Sequence, residues 1–537
     1  MKIRFFLIPL FVSAIFAGDL IPTNYSLSES MPHSSRVIGL TSNIVSEIKL
    51  QGDSLVWLGT SSSIARMEDS ATVVTLDTLR LSDGTDQLME YGISAIAVSG
   101  DSVLFASATR DKDVSVGAGL YYATNGSDSL PIWTNYPQPV EQIGDSLVPF
   151  ANKYFRANPI TTDHKNVTYD ASIGGGYLWI ASWAGGLRRF DLANGHSFDR
   201  VPLPMDAQDT LLTCSDSSYV TNNDGQDVLK NYYQNPQDPS DGGTGNHNHK
   251  AFSVLAYSDT VWVGTADGIN RGILGLNGCI DWTHFRFPYD GMSGNWVVSI
   301  TRQDKAGKHL IWAVTLSTDL EGEQRGVSYT DDDGETWHSV LLNERGYNVI
   351  SQDSLVLVST DNGLWRSDDG TNWALYKPAH QAIPMQGDEI LSNTVYAAVP
   401  DARSYFPNPI LWIGTPDGLA KSSDLSGQNW TIFRTNYDPQ TAYAYPNPFS
   451  PMSHNQVDGD GYVRIHVDVH TSYVVDMSVY NFAMENVFRQ SYDRRTANGT
   501  LKWNGRDSNG RLVANGVYFI KLDYDAKTDW LKLIVVK

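Results

Sequence analysis

Few side chains in this sequence combine residue type and spacing in a way that could support chemistry. His247 and His249 flank Asn248 in a polar, glycine-rich stretch close to Asp241. Imidazoles and carboxylates are ligands that transition metals accept. Because an i, i+2 pair in a loop matches no specific metal signature, we predict no metal site. We select Asp241, His247 and His249 as candidate ligand-binding residues of a long loop.

Catalytic groups do not stand out either. Glycoside hydrolysis needs two carboxylates at a set separation, and spacing alone nominates no pair among the 60 acidic residues. The acidic stretches VDGDGY (457–462) and TDDDG (330–334) do not follow the ligand order of an EF-hand, so they give calcium no specific support. The sequence therefore favours a protein that is not an enzyme and has no cofactor.

The two cysteines, Cys214 and Cys279, leave two interpretations open. In an exported protein they could form a disulfide, whereas in either compartment they could remain separate buried thiols. Two cysteines in 537 residues cannot hold the fold, so packing must do so.

Seven short apolar runs organise the chain. Since side chains alternate across a strand, a run that is apolar at successive positions needs protein on both faces and predicts an inner strand. The third residue is usually aromatic, and the small residue that follows lets a neighbouring backbone approach closely. The runs are LVWLGT (55–60), VLFASA (103–108), LWIAS (178–182), VWVGT (261–265), IWAVT (311–315), LVLVST (355–360) and LWIGT (411–415).

The spacing of these runs predicts the architecture. They recur every 45 to 83 residues, and periods of about 40 to 50 residues with several strands each are typical of propeller blades. We predict an all-β protein with a seven-bladed β-propeller over residues 18–435. A strand within residues 18–43 could complete the last blade and close the ring. The polar stretch at about 195–250 is expected to be a long surface insertion.

Residues 1–17 have the features of a signal peptide. Lys2 and Arg4 precede the apolar run FFLIPLFVSAIF, which is too short for a spanning helix. Cleavage near Ala17 would yield a secreted or cell-surface protein, and an uncleaved anchor is the alternative. No later stretch is expected to span a membrane. The net charge of −21 argues against nucleic acid and anionic membranes as partners.

A second pattern, S/T-x-D-x-G-x-x-W, occurs in the last three repeats. TDDDGETW (330–337) fits it, RSDDGTNW (366–373) fits with Arg366 at the hydroxyl position and Asp368 as the acid, and SSDLSGQNW (422–430) has one extra residue. These segments resemble the Asp-boxes, or BNR repeats, of sialidases, sortilin-type propellers and xyloglucan-degrading propellers. In those families the box is a folding element, so the resemblance implies fold more than catalysis.

Two further resemblances concern the propeller. WVGTADGI and LWIGTPDGL resemble the repeats of two-component sensor proteins, and together with the Asp-boxes they cover about residues 44–433. FRFP (285–288) looks like the F-R-I-P element of sialidases, which would make Arg286 a candidate for binding a sugar carboxylate. It follows the fourth repeat and not the first, which counts against that role.

The tail, residues 441–537, is predicted to be a separate antiparallel sandwich because alternating apolar segments follow the proline-rich AYPNPFSP (444–451). It resembles the immunoglobulin-like domain of flagellar hook scaffolding proteins (FlgD-like) and the sorting domain of type IX secretion cargo. The resemblance rests on YPNPF, on WNGRDSNGRLVANGVYF (503–519) and on the last strand. It implies that export machinery recognises the tail. A structural spacer domain is the alternative.

The sequence thus predicts a bacterial, extracytoplasmic propeller that binds protein or carbohydrate through the face with the long loops, and secretion machinery through its tail. A propeller glycoside hydrolase of the sialidase-like or xyloglucan-degrading type is one alternative. A periplasmic sensor component is another. The identity of the ligand stays open.

Overall fold

The computed structural model describes residues 37–537 apart from 70, 145, 207, 237–245, 306, 319, 379–389, 428–429, 436–441, 455–460, 468–472, 497–498 and 526. The strands in these residues form ten sheets. Two short 3-10 helices, Asp216–Ser218 and Leu276–Gly278, accompany them. Within the described residues, no helix is long and apolar enough to cross a membrane.

Seven of the sheets each contain a four-stranded antiparallel meander that forms one blade of a propeller, as predicted. Blade 1 consists of Val45–Gln51, Leu55–Thr60, Ile64–Met67 and Val74–Leu76. Blade 2 consists of Gly92–Ser99, Ser102–Asp111, Val114–Ala123 and Ile132–Tyr136. Blade 3 consists of Thr168–Gly174, Tyr177–Ser182, Gly186–Asp191 and Asp199–Arg200. Blade 4 consists of Ala251–Tyr257, Thr260–Thr265, Gly268–Leu274 and Ile280–Phe285. Blade 5 consists of Trp296–Lys305, Lys308–Leu316, Gly326–Thr330 and His338–Val340. Blade 6 consists of Gly346–Gln352, Leu355–Thr360, Gly363–Ser367 and Ala374–Tyr376. Blade 7 consists of Ala397–Asp401, Ile410–Thr415, Gly418–Ser422 and Trp430–Phe433.

The first strand of each blade, here called the inner strand, contacts the inner strands of both neighbouring blades, including blade 7 against blade 1. The closing strand that residues 18–43 could supply falls largely on residues 18–36, which lie outside the described residues. Val37–Ile38 pairs with Val74 and Thr75 at the outer edge of blade 1. Blade 7 has four strands of its own, and the described N-terminal segment meets its end where Leu40 bridges Thr435 and Asn43 Oδ1 accepts from Thr435 N at 2.8 Å.

All seven apolar runs form second strands, enclosed on both faces as expected. The indole N–H of their tryptophans must find an acceptor in this buried position. In five blades that acceptor lies at the end of the preceding inner strand. The donor–acceptor pairs are Trp57 to Gln51 Oε1, Trp179 to Gly174 O, Trp262 to Tyr257 Oη, Trp312 to Gln303 Oε1 and Trp412 to Asp401 Oδ2, at 2.8 to 3.1 Å.

The third strand places a cation directly across from the aromatic position in five blades. These cross-strand pairs are Trp57–Arg66, Trp179–Arg189, Trp262–Arg271, Leu357–Arg366 and Trp412–Lys421. Three of the arginines also join blades. Arg66 donates to Asp128 O at 2.7 Å, Arg271 to Asp333 O at 2.6 Å and Arg366 to Leu425 O at 2.7 Å, each in the turn before the fourth strand of the next blade.

The turns that carry the second pattern also join blades. Trp337, Trp373 and Trp430 pack their rings on Trp262, Trp312 and Tyr376 of the preceding blade, 5.8 to 6.2 Å between centroids. In blade 6 the turn uses Ser367 and Asp369, not Arg366 and Asp368. The Ser367 hydroxyl accepts from Gly370 N and the Asp369 carboxylate from Asn372 N, because this turn is one residue shorter than that of blade 5.

The polar stretch at 195–250 is not simply a surface loop. Its strands Tyr219–Thr221 and Asp227–Gln234 join Leu147–Phe150 and Lys153–Ala157 in a separate four-stranded side sheet. Three further edge strands extend the blades: Thr78–Leu81 and Asp86–Leu88 on blade 2, and Thr210–Leu212 on blade 4. Cys214 and Cys279 form a disulfide that ties this stretch to blade 4.

The C-terminal residues form a β-sandwich, as predicted. Its sheets consist of Tyr443–Tyr445, Val463–His466 and Lys502–Trp503, and of Asn486–Asp493, Val474–Tyr480, Gly516–Tyr524 and Lys527–Val535. Phe449, Trp503 and Met477 are buried between them.

Candidate functional site

The residues selected from the sequence do not form one site. Asp241 lies outside the described residues. His247 is half-buried, and its backbone N–H donates to the Asp206 carboxylate at 2.9 Å. His249 is buried, with Nε2 2.8 Å from Ala184 O. Burial and the nearby Arg200 hold the pKa of His249 well below its usual range. The expectation of a long surface insertion therefore fails at His249, because the segment packs against blade 3 there.

Arg286 lies just after the last strand of blade 4. Its guanidinium pairs with Asp209 at 3.1 Å and lies 5.2 Å from the Tyr289 ring. It does not line the central channel, in keeping with the position of FRFP after the fourth repeat. In the described part of the chain, no group of three or more His, Cys, Asp or Glu is placed to hold a metal ion.

The central channel of the propeller contains a cavity of about 360 Å³, to which all seven inner strands contribute. Six inner strands carry a register shift against the second strand near their start. Such bulges bend a strand and re-aim a side chain. The bypassed residues all line the cavity; they are Ser46, Ser94, Tyr169, Phe252, Val298 and Tyr347.

Aromatic side chains gather at the mouth where the inner strands begin. Tyr169, Trp183 and Trp296 surround Phe252 at centroid distances of 5.4 to 5.8 Å. Tyr347 and Tyr396 pair across blades 6 and 7 at 5.2 Å. All but Phe252 are half-buried. We call these side chains the aromatic rim: Tyr169, Phe252, Tyr347 and Tyr396, which line the cavity, and Trp183 and Trp296, which pack on Phe252 beside it.

Three charged side chains line the cavity next to the rim. Glu47 and Lys49 belong to blade 1 and Asp170 to blade 3. Between them, the inner strand of blade 2 lines the cavity with small residues, including Ser94 and Ala97, which leave room for the longer side chains. Lys49 Nζ lies 3.8 Å from the Glu47 carboxylate. Burial raises the pKa of Glu47 to about 7, with Asp170 adding to the rise and Lys49 opposing it.

Asp170 also has a structural role. Its carboxylate accepts hydrogen bonds from Val254 N at 2.9 Å and Ala171 N at 2.8 Å. Burial nevertheless raises its pKa, although Lys49 and these hydrogen bonds act in the opposite direction. Ser172 likewise accepts from Ala256 N at 3.0 Å. Because the inner strand of blade 4 has no strand partner on this side, Asp170 and Ser172 satisfy its edge N–H groups.

A second charged cluster is buried behind blade 3. The Glu141 carboxylate accepts from Arg188 at 2.7 Å, Arg200 at 3.1 Å and Ile160 N at 2.8 Å. The arginine side chains are only 5% and 1% exposed. Burial lowers the pKa of Arg200 to about 10. The single carboxylate thus joins the 137–167 connection to blade 3.

Sequence reasoning overlooked Glu47, Lys49 and Asp170. The sequence did contain a signal: VSEIKL has two charged residues in a strand whose other residues suit burial. The inner strand of the next blade, GISAIAVS, is rich in small residues. That signal has meaning only once neighbouring blades are known to face one channel.

No protein-family model matches the sequence, and neither does any curated protein. Among solved structures, the chain is similar to PorZ, an essential bacterial surface component of the type IX secretion system of Porphyromonas gingivalis. The two share 13% identity and a TM-score of 0.36 over 91% of this chain and 70% of PorZ. YCF48 from Cyanidioschyzon merolae has 13% identity and a TM-score of 0.38 over 72% and 97%. BamB from Moraxella catarrhalis has 12% identity and a TM-score of 0.33 over 71% and 85%.

Proposed function

We propose that this protein is an exported binding protein that holds its ligand at the aromatic rim of the propeller channel. The observation that carries the proposal is the combination of half-buried rings with charged groups over one cavity. Ligand sites are concave, lined by apolar and aromatic side chains, and contain a few polar groups that fix orientation. The cavity of about 360 Å³ falls within the usual range for such sites.

The rim is a better candidate than the repeat tryptophans. Trp57, Trp179 and Trp412 are fully buried and already donate their indole N–H groups within their blades. Trp183 and Trp296 keep part of their surface in solvent. Rings with one apolar face and access to water suit a sugar or a peptide side chain.

Glycan and peptide arrays probed with labelled protein test this function. For any ligand that binds, Trp183→Ala and Tyr347→Ala should weaken binding by about tenfold or more, as expected for loss of an anchoring ring. Phe482→Ala is the control, because this side chain is 77% exposed on the sandwich and outside the cavity. Ligands that bind both rim variants as well as the parent protein would refute the proposal.

The polar insertion is proposed as a second contact region, with Asp241 and His247 as its candidate contacts. Deletion of the whole stretch is unsuitable as a test, because Leu203, Leu211 and Tyr232 are part of the core. Replacement of residues 237–245 by a short Gly-Ser linker avoids that core. Unchanged binding by the replacement would remove Asp241 from the proposal.

Export and sorting complete the proposed function. We assign residues 1–17 to a signal peptide, 18–435 to the propeller and 441–537 to a FlgD-like or sorting domain, and we assign the three turns of the last blades to the Asp-box class. The Cys214–Cys279 disulfide supports an oxidising compartment. Residues 441–537 fused to an exported reporter should place it outside the outer membrane of a host with type IX secretion. Retention in the periplasm would favour a spacer domain.

A propeller glycoside hydrolase is the second candidate, because Glu47, with a pKa of about 7, shares the cavity with Asp170. A general acid near neutral pKa and a second carboxylate are the groups that this reaction requires. Release of reducing sugar that disappears in Glu47→Gln would establish the activity. Binding of a glycan without release of reducing sugar would support the binding function and not the hydrolase.

A further inference from the structure

At a pH above the Glu47 pKa of about 7, the channel cavity has an excess of negative charge. Of the described residues that line it, the charged ones are Glu47, Lys49 and Asp170, two carboxylates and one ammonium group. A ligand that enters this space exchanges water for these groups, and an uncompensated charge in a partly desolvated site favours a ligand of opposite sign.

Glu47 is the carboxylate with capacity for another donor. The ammonium group of Lys49 lies 3.8 Å from the Glu47 carboxylate, at ion-pair but not hydrogen-bond distance. Asp170, in contrast, already accepts two backbone N–H groups. The Glu47 side chain is 21% exposed, so a group inside the cavity can reach it.

The rim supplies the second half of the recognition chemistry. Aromatic faces attract cations, most strongly when both are partly desolvated. Two rim rings already have a cation of the protein over them: Lys250 Nζ lies 4.7 Å from the centroid of Trp183, and the Arg345 guanidinium lies 5.8 Å from that of Tyr347. Rings of the remaining rim residues, such as Tyr169 and Trp296, stand next to the cavity without a described cation over them.

We propose that the channel mouth binds an organic ammonium group, with the rim rings around the cation and the Glu47 carboxylate beneath it. This inference rests on the proposed function and specifies its ligand class. The net charge of −21 would also draw a cationic ligand toward the protein. Asp170 acts on the same cation through its charge, while its hydrogen bonds hold blade 4.

Choline and its neutral isostere 3,3-dimethyl-1-butanol are suitable probes, since they differ mainly in charge. Ligand-detected NMR on the full chain at about pH 8, above the Glu47 pKa, should show choline binding with a Kd about tenfold or more below that of the alcohol. Glu47→Gln should remove most of this difference, and a circular dichroism spectrum equal to that of the parent protein would show that the variant is folded. Glu68→Gln, an acid exposed on blade 1, is the matched control and should behave as the parent protein.

Equal binding of choline and the alcohol, a preference for choline that survives Glu47→Gln, or no binding of choline at millimolar concentration would each overturn the inference. The amide of trimethyl-lysine presents the same head group on a peptide side chain, so its Kd relative to choline distinguishes the two sources. If choline fails but array ligands still depend on Trp183, the ammonium inference is wrong and the binding function stands.

Discussion

Replacement of Glu141 by glutamine should be among the most destabilising conservative changes in the propeller. The carboxylate is 13% exposed and is shared by two almost fully buried guanidinium groups. Glutamine preserves the shape but removes the charge, and its NH₂ group faces N–H donors. Removal of one partner from a buried ion pair leaves an uncompensated charge, which costs about 3–5 kcal/mol.

Glu68→Gln is the matched control. Glu68 also pairs with a buried guanidinium, that of Arg66 at 2.6 Å, but its own side chain is 56% exposed. Arg66 keeps its bonds to backbone carbonyls when Glu68 is neutral, and water can replace the carboxylate. Exposed pairs contribute about 0–1 kcal/mol, so this variant should be close to the parent protein in stability.

The assay is equilibrium urea unfolding, with calorimetry to separate the transition of the propeller from that of the sandwich. The triple variant Glu141→Leu, Arg188→Met, Arg200→Met tests the mechanism further. Since it removes every charge of the cluster, it should be more stable than Glu141→Gln alone. The reasoning is refuted if Glu141→Gln costs no more than Glu68→Gln, or if the triple variant is the less stable one.

Three further predictions concern pH, ring closure and the disulfide. Burial, with Asp206 nearby, raises the pKa of Asp267 to about 8. The folded protein therefore binds this proton more tightly than the unfolded chain, and stability should fall as pH rises from about 4 to about 8. Asp267→Asn should raise the melting temperature more at about pH 9 than at about pH 5, and equal shifts would contradict the assignment. Gly414→Ala should destabilise the ring by about 1–3 kcal/mol, because a Cβ there would lie 2.4 Å from Val45 O where blade 7 meets blade 1; thermal unfolding no different from the parent protein would refute the close approach. Reduction of the Cys214–Cys279 disulfide, which closes a separation of 65 residues, should cost about 4 kcal/mol. The double Cys→Ser variant should unfold alike with and without reductant, and any response to reductant in that variant would refute this explanation.

Much of the propeller could be predicted because its signals are local. A strand buried on both faces must be apolar at successive positions, so LVWLGT and its six relatives mark the second strands without any knowledge of their neighbours. The close approach expected at their small residues also depends on the strand itself. It occurs at Gly264, where an added Cβ would lie 2.4 Å from Val297 O.

Errors arose where two patterns compete or where a partner comes from elsewhere in the chain. In blade 6 both Asp368 and Asp369 stand before Gly370, and spacing from Trp373 favoured the wrong one. Only the backbone of the shorter turn shows that Asp369 and Ser367 accept the turn N–H groups. His249 was assigned to a long surface loop because its neighbours are polar, yet it is buried beside the turn of blade 3.

By itself, the sequence determined the second strands of the blades, their order and their grouping into repeats, since these follow from hydrophobic patterns and turn chemistry within a few residues. The tertiary structure alone decided which side chains meet. Glu47 and Asp170 share a cavity because blade 2, between them, has small residues and because the ring turns all inner strands toward one axis. The proximity of these two side chains depends on the closed geometry of the ring, which no local sequence pattern can predict.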